Sequence, residues 1–332
     1  MIGLRLAFTL ILLLGGLFSP VAAEAQQAAR GARIGYLAAN LAANRHMQEA
    51  FLQGLRDLGY VEGRNLVVEY RGAEGKPERF PALAAELVAL KLDVIVTAGG
   101  TLAALAAKQT TRTLPIVFAA AADPVESGLV TSLARPSGNV TGLSIVSPEL
   151  VGKSLGLLKE AVPGLSRVAV LWQPGGFGER TQQDMLNGAE VAARALGVQP
   201  QFVEARGPAD FDRAFSEMTR ARAGALTVFS NAMFTIERRR LVDLAAKNRL
   251  PALYAFREYV DAGGLMAYGP HLPDLYRRAA TYVDRILKGT QPGDLPVEQP
   301  TKFDLAINLR TAKTLGLTIP QSVLGRADHV VE

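Results

Sequence analysis

The chain has 332 residues, 49% of them apolar and 20% charged, a composition that is typical of globular proteins and excludes a disordered chain. Its net charge is +5, and the densest basic group, residues 238–240, lies in a helical pattern, which favours a solvated helix face over a nucleic-acid surface. The sequence contains no cysteine, which excludes disulfides, thiol catalysis, cysteine metal ligands and a lipid-modified amino terminus.

Residues 1–25 have the pattern of a secretory signal peptide. Arg5 supplies a positive charge, and residues 6–18 form an apolar run that is shorter than a comfortable membrane span. Small residues follow, and we expect cleavage after Ala23 or Ala25. The pattern therefore predicts an exported periplasmic protein that is not a lipoprotein; an uncleaved membrane anchor is the alternative.

The rest of the chain alternates between predicted strands and helices. In the first half the predicted strands are 33–38, 65–70, 93–97, 116–118 and 140–146, and the helices are 45–58, 76–90, 102–109 and 125–133. In the second half the strands are 167–172, 198–204, 224–229, 251–255, 264–268 and 301–308, and the helices are 148–161, 180–196, 208–222, 235–248, 271–288 and 309–315. Such alternation predicts parallel sheets with helices on both faces. Its restart after an irregular join near residues 137–147 predicts an α/β protein with two similar lobes.

Small, polar or aromatic residues recur where the predicted strands end. The candidate ligand-binding residues are Asn40, Gly99, Gly100, Thr101, Ala120, Ala121, Asp123, Gln173, Asn231, Phe256 and Tyr268. The carboxyl ends of parallel strands meet at one edge of a sheet, where α/β proteins bind ligands. Small residues there let backbone N–H groups approach a ligand closely, and a helix amino terminus favours an anion.

Several of these candidates also have a purely structural interpretation. Thr101 and Asp123 are good helix N-caps, and Asp123 precedes a proline at a first helical position. The paired glycines fit a tight turn, Asn231 fits a turn, and Phe256 fits a packed core. The sequence leaves capping, packing and ligand contact open for each of them.

Patterns for catalysis or metal binding do not accompany these residues. The histidines His46, His271 and His329 each stand alone, and His329 in the tail is expected to be solvated. The sequence has no HExxH, GxSxG or GxxxxGK[ST] motif, and the glycines at 99–100 lack the GxGxxG spacing of a dinucleotide site. We therefore expect no catalytic residue, no metal and no cofactor.

Three stretches carry a family resemblance: IVFAAAADPVESGLVTSLARPSGNVTGLS, GGLMAYGP and RRAATYVDRILKGTQPGDLPVEQPTKFDLAINLRTAKTLGLTIP. They resemble the ABC-transporter substrate-binding protein family that includes tryptophan- and other aromatic-acid-binding members, over roughly residues 30–332. The resemblance implies a type I periplasmic binding protein fold, with two Rossmann-like lobes and a three-stranded hinge. The implied crossings are 140–146, 265–269 and 296–300, with residues 30–145 plus 270–297 in the first lobe and 146–269 plus 298–332 in the second.

The resemblance also implies a function. It implies a protein that captures a small organic ligand by hinge closure and delivers it to an ABC permease in the inner membrane, as a monomer and without binding nucleic acid. Ala120 and Ala121 stand where a hydroxyl would help, so no amino-acid specificity is carried over, and an amino acid, an aromatic acid or a similar molecule all remain candidates. The fold also suits the ligand-binding subunit of a sensory system and, less well, a secreted α/β enzyme. A transcription-regulator core is opposed by the signal peptide.

Overall fold

The computed structural model of the chain describes residues 31–145, 148–229 and 231–332, so the predicted signal peptide at 1–25 lies outside the described residues. The strands are β1 Ala32–Ala38, β2 Leu66–Gly72, β3 Val94–Ala98, β4 Ile116–Ala122, β5 Val140–Ile145, β6 Arg167–Trp172, β7 Gln199–Glu204, β8 Ala225–Val228, β9 Ala252–Tyr254, β10 Met266–Gly269, β11 Asp304–Asn308 and β12 His329–Val331. The helices are α1 Arg45–Asp57, α2 Phe80–Ala89, α3 Gly100–Thr110, α4 Pro148–Ala161, α5 Glu179–Ala195, α6 Phe211–Arg220, α7 Ala232–Ile236, α8 Arg238–Lys247, α9 Arg257–Asp261, α10 Leu272–Leu287, α11 Leu309–Thr314 and α12 Gln321–Leu324.

The strands form two sheets. The first has the order β2-β1-β3-β4-β5 with all pairs parallel, and with α1, α2, α3 and α10 we call it lobe 1. The second has the order β12-β11-β10-β9-β8-β6-β7, in which only β10 and β11 pair antiparallel, and with the other helices we call it lobe 2. Continuous apolar runs such as β3 and β8 are buried along their whole length because helices cover both faces. The predicted fold class is confirmed.

Three crossings join the lobes. The chain leaves lobe 1 after β5, through residues 146–147 that lie outside the described part, returns to lobe 1 after β10, and passes to lobe 2 again before β11. The first and third crossings run side by side, because the Ser144 N–H donates to the Glu298 carbonyl at 2.8 Å and the Thr141 hydroxyl donates to the Leu295 carbonyl at 2.7 Å. These two crossings are therefore adjacent, hydrogen-bonded segments rather than loose linkers.

The geometry of the first crossing requires a glycine at position 142. Gly142 has a φ of +152°, and a Cβ atom built on it would lie 2.1 Å from the Phe118 carbonyl oxygen of β4. A side chain at this position would overlap the backbone of the neighbouring strand. The close approach also lies beside a register shift between β4 and β5 at Phe118 and Ala121, which is a β-bulge.

The helix predicted at 125–133 is wrong. After Asp123, with a φ of +39°, the chain makes a turn that ends at Gly128, with a φ of +74°, and no helix follows. The Thr131 N–H donates to the Pro136 carbonyl at 3.1 Å, a pairing that folds the segment back on itself. The apolar spacing came instead from a buried loop, since Leu129 and Val130 are both in the core.

Other differences are smaller. The helix predicted at 235–248 is two helices, α7 and α8, and α9 was not predicted. The C-terminal tail is not free, because β12 pairs with β11 and His329 Nε2 lies 4.0 Å from Asp261 Oδ1. The expectation of a solvated His329 is therefore corrected: strand pairing leaves its side chain 32% exposed.

The apolar core does not stop at the boundary between the lobes. One contiguous cluster of buried apolar residues includes Tyr36 and Phe51 of lobe 1 together with Tyr254, Phe256 and Tyr259 of lobe 2. The lobes are thus in contact across the cleft between them. Within the described residues, none of the helices combines the length and the apolar character needed to cross a membrane.

Candidate ligand-binding site

A large cleft lies between the lobes, at the carboxyl ends of β1, β3 and β4 of lobe 1 and of β6, β8 and β9 of lobe 2. From lobe 1 its lining includes Ala39, Asn44, Met47, Lys76, Phe80, Ala98, Gly99, Gly100, Thr101, Leu102, Ala120, Ala122, Leu272 and Tyr276. From lobe 2 it includes Gln173, Gly176, Phe177, Asn231, Ala232, Met233, Thr235, Ile236 and Phe256. The structure therefore brings together seven of the predicted residues: Gly99, Gly100, Thr101, Ala120, Gln173, Asn231 and Phe256.

On the lobe 1 side the cleft meets the amino terminus of α3. The N-cap is Gly99, which has no side chain to satisfy the first N–H groups of the helix. Gly100 has a φ of +72°, which a glycine adopts without strain. The first N–H groups of a helix have no partner within the helix and carry a partial positive charge. This end of α3 can therefore bind an anionic or other acceptor group in the cleft.

Thr101 does not cap α3. Its hydroxyl accepts from the Ala122 N–H at 3.1 Å and donates to the Ala122 carbonyl at 3.3 Å, and both groups are buried. The side chain thus ties the helix to the end of β4. The sequence left capping and ligand contact open for Thr101. The prediction that Thr101 caps α3 is wrong, because its hydroxyl is hydrogen-bonded to the backbone of Ala122.

Two neighbouring alanines at the end of β4, which the sequence treated alike, have different surroundings. Ala120 is partly exposed and lines the cleft, whereas Ala121 is fully buried and pairs in register with Ser144 of β5. Successive residues of a strand point to opposite faces, so two neighbours in sequence can differ in this way. Only one of these two predicted positions is therefore in contact with the cleft.

On the lobe 2 side the cleft is lined by oriented side-chain amides. Asn231 caps α7, because its Oδ1 accepts from the Phe234 N–H at 3.0 Å, and its Nδ2 is buried without a hydrogen-bond partner among the described residues. Gln173 donates from Nε2 to the Arg206 carbonyl at 3.1 Å. Both amides stand at strand ends, after β8 and β6 respectively.

The remaining walls are apolar and aromatic, and they include Met47, Phe80, Leu102, Phe177, Met233, Ile236 and Phe256. Tyr276 of α10 closes the lobe 1 side and donates from its hydroxyl to the Ala98 carbonyl at 3.4 Å. Burial, with a smaller contribution from the charge of Glu258, raises the pKa of Tyr276 well above its usual value, so the phenol is neutral. A cleft with a few polar groups and large apolar walls suits a small organic molecule with a ring or alkyl group.

Four predicted residues do not line this cleft. Asn40 accepts from the Ala43 N–H at 2.8 Å in the turn before α1, and Ala121 is in the core. Asp123 accepts from the Glu126 N–H at 3.4 Å, so it caps a turn rather than the predicted helix. Tyr268 lines a second, smaller cavity inside lobe 2, where Lys153 Nζ lies 4.5 Å from its ring centre.

The structure also adds residues that the sequence reasoning missed. Gly176 and Phe177 follow Gln173 in the same loop, so a longer reading of that strand end would have included them. Asn44 precedes α1 at its N-cap position, and its Oδ1 is buried without a hydrogen-bond partner. Tyr276 had no local signal, since it lies within a helix that reaches the cleft only after the second crossing.

Polar contacts join the rims of the cleft on two sides. On one side Arg180 Nε of lobe 2 lies 2.6 Å from Glu126 Oε2 of lobe 1. On the other, His46 Nε2 lies 3.7 Å from Glu258 Oε1, and Arg238 donates to the Ala43 carbonyl at 3.2 Å. In the portion of the chain that is described, three or more His, Asp or Glu side chains do not converge anywhere as a metal site would require.

Two solved structures of lower sequence identity share the fold of this chain. A leucine-binding protein from Thermotoga maritima shares the fold at 14% identity, with a TM-score of 0.57 over 77% of this chain and 86% of that one, which shows the type I periplasmic binding protein fold. The ligand-free, open structure of a substrate-binding protein with adhesive properties from Clostridium difficile matches at 24% identity and a TM-score of 0.65, over 90% of this chain and 99% of that one.

Among more similar proteins, two carry names that concern ligands and one does not. A tyrosine-binding protein from Clostridioides difficile is 26% identical over 276 residues, which is 81% of this chain and 76% of that protein. A conserved domain protein from Vibrio cholerae is 30% identical with a TM-score of 0.83, over 91% of this chain and 99% of that one. A Streptococcus structure described as an ABC domain in complex with L-Trp is 25% identical with a TM-score of 0.82, over 91% of this chain and 100% of that one. The profile of the ABC transporter substrate binding protein family matches residues 42–331, and the chain therefore belongs to that family.

Proposed function

We propose that this protein captures an amino acid with a large apolar or aromatic side chain between its two lobes and delivers it to an ABC permease. The observation that carries the proposal is the cleft itself, in which the amino end of α3 and the amide of Asn231 supply polar contacts and Phe80, Phe177 and Phe256 supply the walls. The names of the related tyrosine-binding protein and of the L-Trp complex are consistent with this class of ligand.

Ligand binding in the proposal is coupled to hinge closure. The lobes of this chain contact each other through ion pairs and apolar residues, and the chain superimposes more closely on the L-Trp complex than on the ligand-free, open relative. These observations support an assignment of the described state as closed. The ligand would stabilise that state by the difference between its affinities for the closed and open forms.

The boundaries of the lobes and the location of the protein belong to the same proposal. The sheet topology supports residues 30–145 plus 270–297 as one lobe and 146–269 plus 298–332 as the other. Family membership supports a role outside the cytoplasm, after removal of residues 1–25. The protein acts in this proposal as a binding protein without catalysis.

A thermal-shift screen of residues 26–332 tests ligand capture. A ligand at 100 times its Kd should raise the free energy of unfolding by about 2.7 kcal/mol. We expect shifts with phenylalanine, tyrosine, tryptophan or leucine and none with glutamate or sugars. Absence of a shift with every amino acid would refute capture. Small-angle scattering with and without a tight ligand tests closure, and an unchanged radius of gyration would refute it.

A further inference from the structure

The amide of Asn231 has only one possible orientation. Its Oδ1 accepts from the Phe234 N–H at 3.0 Å, and only an oxygen can accept this hydrogen bond. The other atom of the amide is therefore Nδ2, a donor. This donor is buried in a residue that is 9% exposed, it has no hydrogen-bond partner among the described residues, and the residue lines the cleft.

The amide of Gln173 is oriented in the opposite sense. Its Nε2 donates to the Arg206 carbonyl at 3.1 Å, and only the nitrogen can donate there. The Oε1 atom therefore remains as an acceptor. Gln173, like Asn231, lines the cleft.

The donor and the acceptor border the same small space. A Cβ atom built on Gly176 would lie 3.0 Å from Asn231 Nδ2 and 3.0 Å from Gln173 Oε1. Gly176 also lines the cleft, and its φ is not positive, so the glycine is required here for space rather than for backbone conformation. A side chain at Gly176 would crowd both amides, so the glycine leaves the donor and the acceptor accessible from the cleft.

This space faces the amino terminus of α3. Asn231 directly precedes Ala232, and a Cβ atom built on Gly100 would lie 4.0 Å from the Ala232 Cβ. The free N–H groups at the start of α3 and the donor of Asn231 therefore approach the cleft from opposite lobes. A carboxylate placed between them can accept hydrogen bonds from both lobes.

We infer that Asn231, Gln173 and Gly176 form a subsite that selects ligands with a hydrogen-bond donor next to an acceptor, and specifically the head group of an α-amino acid. The carboxylate accepts from Asn231 Nδ2 and from the start of α3, and the ammonium donates to Gln173 Oε1. The inference rests on the proposed function and adds which residues of lobe 2 bind the head group.

The subsite excludes two close relatives of an amino acid. A deaminated acid has only acceptors, so it leaves Gln173 Oε1 without a partner, and a simple amine leaves Asn231 Nδ2 without one. Loss of a hydrogen bond to a charged ligand group weakens binding by on the order of tenfold to a hundredfold. Wild-type protein should therefore bind L-tyrosine at least about tenfold more tightly than 3-(4-hydroxyphenyl)propionate or tyramine.

Calorimetric titration of two matched variants tests the role of Asn231. Asn308 caps α11 in the same way, since its Oδ1 accepts from the Thr311 N–H at 3.0 Å, and it lies outside the cleft. Both N231D and N308D retain the capping oxygen, but only N231D replaces the donor in the cleft by an acceptor. We expect N231D to lose at least about tenfold in affinity for L-tyrosine and N308D to stay within about twofold of wild type.

G176A is a second test, and it leaves the capping of α7 by Asn231 unchanged. Its methyl group fills the space between the two amides, so we expect a loss of at least about tenfold for L-tyrosine with little change in thermal stability. Equal binding of tyrosine and its deaminated acid, or equal affinities of N231D and N308D, would overturn the inference while capture stands. If wild type binds none of phenylalanine, tyrosine, tryptophan or leucine, the proposed function itself fails.

Discussion

The two sides of the cleft present different chemistry to a ligand. Besides its apolar walls, lobe 1 offers backbone groups at the start of α3 and at the end of β4, where the residues are glycines and alanines. Lobe 2 offers side chains whose orientation is set by hydrogen bonds to backbone, as in Asn231 and Gln173. The polar contacts of lobe 1 therefore do not depend on side-chain identity, because backbone groups are the same in any sequence, whereas those of lobe 2 can change by a single substitution.

The largest expected effect concerns the close packing of β4 against β5 in lobe 1. G142A would place a methyl group within 2.1 Å of the Phe118 carbonyl oxygen, so β4 and β5 must separate. We expect the free energy of unfolding to fall by more than about 3 kcal/mol in urea titrations.

G138A is the matched control for G142A. Gly138 also has a positive φ, +67°, but a Cβ atom there meets nothing within 4 Å. Its cost should be backbone strain alone, about 1 kcal/mol. Equal losses in the two variants would contradict the role of the close approach between β4 and β5.

The next effect concerns the hydroxyl that ties α3 to β4. T101V removes the two buried hydrogen bonds between the Thr101 hydroxyl and Ala122. The N–H and the carbonyl of Ala122 then lack these partners. We expect the free energy of unfolding to fall by about 1–3 kcal/mol.

Thr97, on the neighbouring strand β3, provides the control. Its Oγ1 is buried without a hydrogen-bond partner among the described residues, so T97V removes a buried hydroxyl at no cost in hydrogen bonds. T97V should be neutral or stabilising in the same titrations. If T97V is as destabilising as T101V, the contribution assigned to Thr101 is packing and not hydrogen bonding.

Alkaline pH should affect lobe 1 through its buried tyrosines. Burial raises the pKa of Tyr282 from 10.0 to about 12, and its hydroxyl donates to the Pro296 carbonyl at 2.7 Å in the third crossing. The folded state thus favours the neutral phenol, so this contribution is present below pH 10 and is lost as the pH rises towards about 12. The free energy of unfolding should fall there by at most about 1.4 kcal/mol per pH unit for this tyrosine.

Y282F removes this titration. The variant should be less stable than wild type at pH 8, because it lacks the hydrogen bond to Pro296, and the difference should shrink above pH 10. Urea titrations at pH 8, 10 and 11 measure the difference. A difference that stays constant over this range would show that the buried phenol does not titrate as expected.

The smallest effect concerns the contacts between the rims. E126Q removes the ion pair with Arg180 across the cleft, whose arginine is largely exposed. Exposed pairs contribute about 0.2–1 kcal/mol, so the Kd for ligand should rise by about 1.4-fold to fivefold, and less at high salt. E190Q, which breaks the pair with Arg194 inside α5, should leave the Kd unchanged. If both variants behave alike, the rim pair does not contribute to closure.

Local pattern was sufficient for most of the fold. The apolar runs at β1, β3, β6 and β8 and the stripes of α1, α5 and α10 were all predicted to within a few residues, because continuous burial and helical periodicity are properties of short segments. The error at 125–133 has the same origin. An apolar spacing predicts burial, but positive φ at Gly128 and pairing of Thr131 with Pro136 make the segment a buried loop.

The candidate site was predicted only as far as topology allowed. Strand ends meet at one edge of a parallel sheet, so Gly99, Gly100, Gln173, Asn231 and Phe256 could be expected together. Which of two neighbouring residues meets the cleft depends on how the strand lies in the sheet, and β4 turns Ala120 towards the cleft and Ala121 into the core. Whether these residues bind ligand stays a prediction.

The amino-acid sequence by itself determined that this protein is a doubled α/β chain with polar and small residues at its strand ends, since hydrophobic periodicity and turn residues act over a few positions. Only the tertiary structure decided how these ends are used. Tyr276 reaches the cleft because a second crossing returns α10 to lobe 1, and Asn231 acquires a donor of known direction because its oxygen is engaged by the Phe234 N–H. Distances between segments that are far apart in the chain, and the partner of each polar atom, are set by packing and not by local sequence.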